Sequence, residues 1–175
     1  VLSYYKNRKV VLMANSSIIG KIKRKIIRDF IRDSEIVSAI NNTECSEPEE
    51  LINTSIFNFN QNPFTINKVG TFITIQVHIP SVISGSSVYV KPTLEIWIIS
   101  HERHMYVDNV PKITENRNDY ISRLIDEKIN GESGFGIGKV VLESNIEGSF
   151  QMDFLYRKMV FSCIDINDSL CDLED

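Results

Sequence analysis

The sequence predicts a single α+β domain, and three observations carry that prediction. Apolar residues recur every three or four positions in residues 18–40 and again in 119–130, which is the helical period. They alternate in residues 71–79, 93–100 and 154–166, which is the period of strands. Polar joins rich in Gly, Pro, Asn and Ser separate these stretches. At 175 residues the chain is long enough for one domain with a real core and short for two. Residues 1–15 read as an N-terminal arm, 16–167 as the domain, and 168–175 as an acidic C-terminal tail. The expected architecture is an N-terminal amphipathic helix, a mostly antiparallel sheet of about four strands with a second helix packed on it, and long projecting loops.

The first helix is expected to start at a Ser16 or Ser17 cap and to run through "IIGKIKRKIIRDFIRDSEIVSAI" to Asn41 and Asn42. Ile18, Ile22, Ile26 and Phe30 make its apolar face, and Lys21, Lys23, Lys25, Arg28 and Arg32 lie opposite, as a solvated or a binding face. Residues 43–70 read as a long connection, pinned where Phe57, Phe59 and Phe64 seek burial. In "TFITIQVHIP", Ile73, Ile75, Val77 and Ile79 point one way and Thr74, Gln76 and His78 the other: a strand with one buried face, closed by Pro80. "TLEIWIISH" alternates again, and the two strands should pair antiparallel. Residues 101–116 look irregular. Asn118 or Asp119 then opens a second helix, "DYISRLIDEKIN", and Gly131 stands where a left-handed C-cap belongs. A short strand, "KVVLES", follows. The last element, "FLYRKMVFSCIDIN", is apolar on both faces, as a central strand would be.

Between the second helix and the strand after it, Gly131, Gly134, Gly136 and Gly138 precede Lys139. A phosphate cradle needs strand first and helix second, so that the helix N-terminus meets the anion. Here the order is reversed, and the glycines read as a hinge that lets a helix stop and feed a strand.

Composition narrows the function classes. Hydrophobic residues make up 42% and charged residues 24%, normal for a folded protein, and no run of about 18 apolar residues is present to cross a bilayer. The "VVLMA" run near the start is too short for a secretory leader, so synthesis in the cytosol is expected. Cys45, Cys163 and Cys171 are odd in number and lack a C-x-x-C spacing, which argues for reduced thiols. Charge is uneven: residues 1–32 hold nine Lys or Arg against Asp29 alone, within a chain of net charge −4. Such a segment suits nucleic acid or an acidic partner, or simply a solvated helix face. His78, His101 and His104 could be gathered around a metal, but the spacing matches no metal-binding frame. No G-x-S-x-G or comparable signature marks a nucleophile. Neither a catalytic residue nor a cofactor is expected. Trp97 and Tyr106 could form a stacking platform, although a lone Trp on an alternating strand fits a core better.

The order of elements resembles the small neck proteins of tailed bacteriophages, most closely the tail-terminator and head-to-tail joining proteins. The parts that carry the resemblance are "IIGKIKRKIIRDFI", "FITIQVHIP" with "LEIWIIS", "NDYISRLIDEKINGESGFGIGK", and the "YR" strand "FLYRKMVFSCIDIN". The resemblance implies a non-enzymatic virion part: a homo-oligomeric ring, usually of six copies, that caps the tail tube and docks it to a head connector or stopper. A sheath protein is a further implied partner, and DNA passes through the lumen only in transit. Such a ring closes through contacts between unlike surfaces of neighbouring copies. The candidate contacts are Ser84, Gly85, Ser86 and Tyr89 in the crossing 81–91, and His101, Arg103, His104 and Tyr106 in the segment 101–112. A lumen that passes DNA should be neutral or acidic, which would turn the basic helix outward. From a different class, a cytosolic α+β binding module would use that helix to contact nucleic acid or an acidic protein.

Overall fold

A computed structural model describes residues 16–61, 68–79, 89–135, 137–150 and 153–166 of the chain. It is an α+β fold with three α-helices laid on one face of a mixed sheet. The arm 1–15, Phe64, the crossing residues Ser84, Gly85 and Ser86, Gly136 and the tail 168–175 lie outside the described residues.

The helix expected over 18–40 is two helices, α1 (Ser17–Ile31) and α2 (Ser34–Ile40). Asp33 makes the break: its carboxylate accepts from the N–H groups of Glu35 and Ile36, an N-cap that competes with continuation of α1. The Lys128 ammonium, 2.6 Å away, fixes that carboxylate from the neighbouring helix. At the other end, Ser16 is helical in its own backbone and makes no side-chain cap, contrary to expectation. Asn41 ends α2 as expected, in the left-handed conformation (φ 50°, ψ 51°). Ile22, Ile26, Ile27 and Phe30 of α1 and Ile36 and Ile40 of α2 enter the core.

Residues 43–70 hold more structure than a connection. Pro48 opens a 3₁₀ turn (Pro48–Leu51) that buries Leu51, and a short strand β1 (Ile56–Phe57) pairs in parallel with β2 (Thr71–His78). Phe57 is buried as expected, whereas Phe59 is exposed and rests edge-on against it.

With β4 (Thr93–His101), β5 (Ile137–Phe150) and β6 (Phe154–Ile166), the sheet runs β1-β2-β4-β6-β5. β2 pairs antiparallel with β4, as the alternation predicted. β3 (Tyr89–Val90) and β4 follow one line along β6, parted at Lys91 and Pro92, because proline has no N–H for the ladder. The short last-but-one strand extends to the whole of β5 and forms a long hairpin with β6, which makes five lines rather than four. β6 is an interior strand, flanked by β4 and β5.

The third helix, α3 (Arg117–Ile129), starts before the expected residue. Asn116 caps it by accepting from Asp119 N–H at 2.9 Å, and the Asn116 amide donates back to the Asp119 carboxylate at 2.7 Å. Gly131 takes φ +83°, and its N–H donates to Val140 C=O, so the turn folds back directly onto β5. Gly138 takes φ +98° beside a β-bulge. This is the hinge geometry, and Phe135 within it drops into the core beneath α1.

Between helices and sheet lies one core, built from Ile73, Ile75, Ile96, Ile98, Met159 and Phe161 below and Ile26, Phe30, Ile121 and Ile125 above. Each such side chain contributes roughly 1.5–3 kcal/mol by leaving water. Among the described residues no helix is long and apolar enough to cross a membrane.

Candidate interaction surfaces

Strand alternation sends every second side chain away from the helices. Through the pairings Thr74 with Trp97, Trp97 with Lys158 and Lys158 with Ile146, one row crosses four strands on that far face. Toward β1 and β2 that face is closed, with Phe57, Phe72, Thr74 and Ile99 buried, and toward β5 it opens to solvent. An antiparallel sheet with a solvated face normally carries polar residues there. Here Phe72, Trp97, Ile99, Tyr156 and Val160 stand on it, with Val141 and Ile146 at its β5 margin about half exposed (52% and 53%). Trp97, expected in the core, is instead half-buried on this far face, where the closed part meets the exposed part. Its ring lies 4.8 Å from Tyr156 and 5.5 Å from Phe150, and Tyr156 and Phe150 are 4.7 Å apart. Gly148 makes the cluster possible, since a Cβ there would meet the Tyr156 ring at 2.5 Å. Lys158 sits over Trp97, 5.0 Å from the ring centre, and pairs with Glu95 at 2.9 Å. Phe72 and Thr74 are buried too, so β2 is buried on both faces rather than one.

The "YR" pair of β6 divides between the two faces. Tyr156 joins the far face, while the Arg157 guanidinium turns to the helix side and bonds the Asp119 carboxylate at 2.5 Å and Asn145 at 3.2 Å.

Residues 101–116 are irregular but held. The Arg117 side chain is fully buried (0% exposed), and its guanidinium donates to three backbone carbonyls: His104 and Tyr106 in this segment and Ala39 in the last turn of α2, each at 2.6 Å. The Met105 carbonyl accepts from Arg117 N–H at 2.8 Å, and the Asn109 amide donates to Ser38 C=O at 2.6 Å. Burial pulls the Arg117 pKa down from its ordinary value, opposed by nearby Asp108, and the carbonyl dipoles satisfy the charge. Nothing in the residue pattern marked Arg117; a helix-opening Arg looks like a surface residue until the fold places α2 beneath it.

This clamp places the predicted contact residues. His101 caps a 3₁₀ turn (Glu102–His104) through Nδ1, which accepts from Arg103 N–H, and its ring meets Phe154 edge-on. Arg103 is exposed. Tyr106 is 83% exposed although its own carbonyl is bound to Arg117. His104 is half-buried, with Nδ1 2.8 Å from Thr71 Oγ1, which lies 2.8 Å from Ser100 Oγ. Ser100 donates to Asn118 Oδ1, and Asn118 donates to Leu155 C=O. Because the Ser100 proton is committed, Thr71 donates to Ser100 and accepts from His104 Nδ1–H, which assigns the tautomer. Burial and the Arg117 charge depress the His104 pKa. Tyr89 lies in β3, along β6.

His78 stands at one end of β2 and is paired with Thr93, while Thr71, which meets His104, stands at the other. Eight residues of strand separate them by about 23 Å at ~3.3 Å per residue, so no metal site unites the three histidines. Among the described residues, no group of three or more His, Cys, Asp or Glu is placed to hold a metal ion.

On α1 a period of 3.6 residues puts Lys21, Lys25, Arg28 and Arg32 in one stripe and adds Arg24, which the sequence reading left out. Lys23 turns aside and donates to Asn58 C=O at 2.5 Å. Lys25 pairs with Asp29 at 2.6 Å and covers the Phe135 ring at 4.3 Å. Arg24, Arg28 and Arg32 are exposed.

Residues 19–163 match the family model described as YomW. No curated protein matches the chain.

Proposed function

The chain belongs to the YomW family, which is named after a gene of Bacillus phage or prophage type and makes this a phage-related protein; on that premise we propose that it is a non-enzymatic structural part of the virion. The reading is a homo-oligomeric ring at the neck, of about six copies, that ends the tail tube and joins it to the head connector while DNA passes through its centre. One observation carries it: on the sheet face away from the helices, the half-buried aromatics Trp97, Phe150 and Tyr156 adjoin the exposed Val141 and Ile146 at the β5 margin, where solvent would favour polar side chains. Contiguous apolar surface of this kind marks a protein interface. The helix layer seals the other face, so the monomer keeps a core without any partner and can be made before it assembles.

The stripe on α1 supports a second reading, a binding module for nucleic acid or an acidic protein. Three exposed arginines in line on a helix suit phosphate or carboxylate, which guanidinium contacts through two donors at once.

Native mass over a concentration series, with negative-stain images of the heaviest species, separates the two. The ring reading expects closed particles of about six copies at a concentration where association is complete. A strict monomer that binds short duplex DNA, and loses that binding when Lys21, Arg24, Arg28 and Arg32 are reversed in charge, replaces it with the second reading.

A further inference from the structure

We infer that the acidic segment 167–175 turns back along α1 of its own chain and covers the basic stripe there. The contact lies outside both readings above and holds under either.

The receiving surface is open to solvent and short of partners. Lys21, Arg24, Arg28 and Arg32 are exposed along one side of α1. Among the described residues, Arg24 and Arg32 have no ion-pair partner, and the carboxylate nearest Arg28, that of Asp29 at 3.9 Å, is already bound to Lys25 at 2.6 Å. Arg32 shares a cleft with Glu127 and Glu132, and Glu127 is engaged by Arg123 at 3.1 Å. Arg24 and Arg28 are therefore the least compensated cations of the stripe.

The occupant carries the opposite charge. Residues 167–175 hold Asp168, Asp172, Glu174 and Asp175, with no Lys or Arg among them. Carboxylates are the side chains that a guanidinium fork takes through two donors at once.

Position and length agree. β6 delivers the segment beside α1: Cys163 lines the same apolar gap as Ile22, and its thiol donates to the carbonyl of Phe135, whose ring lies under Lys25 at 4.3 Å. Ile166, where β6 ends, is about 10 Å farther along at ~3.3 Å per residue. Residues 167–175 extended reach about 30 Å. The stripe from Lys21 to Arg32 is about 17 Å long at a rise of ~1.5 Å per residue. Returning over the first distance and running along the second takes about 27 Å, within that reach.

Each exposed ion pair is weak and screened by salt. The tether makes up for this, because a linked segment faces its site at an effective concentration on the order of mM. Several weak pairs then hold the segment in place and still let a denser polyanion displace it.

A nitroxide on Cys171 tests the contact in the full chain carrying Cys45→Ser and Cys163→Ser, with nitrogen-15 amides observed by NMR at low salt. Serine keeps a donor for the Phe135 carbonyl. Amides from Lys21 to Arg32 should lose intensity beside the label, while those of Thr71 and Ser100, at the other end of the sheet, keep theirs. The intensity should return at 1 M salt, where the screening length is about 3 Å. It should return at low salt in Asp172→Asn with Glu174→Gln, which leaves α1 untouched, and in Arg24→Glu with Arg28→Glu, whose fold far-UV circular dichroism checks.

Full intensity along α1 in the labelled chain at low salt would overturn the inference. A loss that persists in Asp172→Asn with Glu174→Gln and at 1 M salt would also overturn it, since charge would not be what holds the segment. Mixing labelled nitrogen-14 chains with unlabelled nitrogen-15 chains reads the remaining alternative: a loss of equal depth there assigns the contact to a neighbouring copy and refutes the fold-back. The native mass of the same sample judges the ring reading separately.

Discussion

Arg117 shows how much one residue can settle. Its three carbonyl acceptors come from the end of α2 and from two points of the 101–116 segment, so its loss strands buried acceptors in two elements. Each unsatisfied group costs about 1–3 kcal/mol, and Arg117→Met should lower stability by roughly 3 kcal/mol or more, read from the urea midpoint of Trp97 fluorescence. Lysine should not rescue it, because one ammonium cannot reach three carbonyls with the planar fork. His104 gives a pH signature. Burial and Arg117 hold its folded pKa below the unfolded value of about 6.5, so its contribution is present in full above that value. It is lost as pH falls from there through the depressed folded pKa. Stability measured between pH 7.5 and 5 should therefore fall for the wild type, and this part of the fall should vanish in His104→Gln. An identical slope in both proteins would assign the pH dependence to other groups.

At the scale of elements, the division of α1 from α2 turns on Asp33. Burial opposes its charge, but the Lys128 ammonium and the N–H groups of Ile36 and Glu35 outweigh that and hold its carboxyl below the usual range. Asp33→Ala removes the cap and strands Lys128, and the cap alone is worth about 1 kcal/mol. A double-mutant cycle with Lys128→Met should show coupling between the two positions, and strict additivity would dismiss the pair. The hinge after α3 has its own test. Gly131 at φ +83° has open space around a would-be Cβ, so Gly131→Ala should cost about 1 kcal/mol through backbone strain alone. Gly148→Ala is different in kind: it pushes the Tyr156 ring off its stack and should change Trp97 emission more than it changes stability.

For the whole molecule, the Arg117 clamp, the Asp33–Lys128 pair and the chain from His104 to Leu155 tie helices, loop and sheet together. Unfolding of the domain should accordingly be one cooperative transition, with Trp97 fluorescence and far-UV circular dichroism giving the same midpoint. A helical signal that melts first would mean that α1 and α2 form a separate unit.

Apolar periodicity by itself determined the class of fold, the pairing of β2 with β4 and the interior place of β6, and local residue chemistry marked the helix end at Asn41 and the left-handed turn at Gly131. Each depends on neighbours in the chain, or on a face being buried at all, and so can be read along a line. Tertiary structure decided the rest. Asp33 breaks a helix that its flanking isoleucines would continue, because Lys128 arrives from another helix. β1 is too short to show a period and exists because β2 offers it an edge. Trp97 alternates like a core residue, and only the placement of all three helices on the other side of the sheet leaves it half-buried outside the main core. The interaction surfaces stayed hidden in the sequence for that reason: periodicity tells that a face is apolar, and the packing of distant elements decides whether the chain covers that face itself.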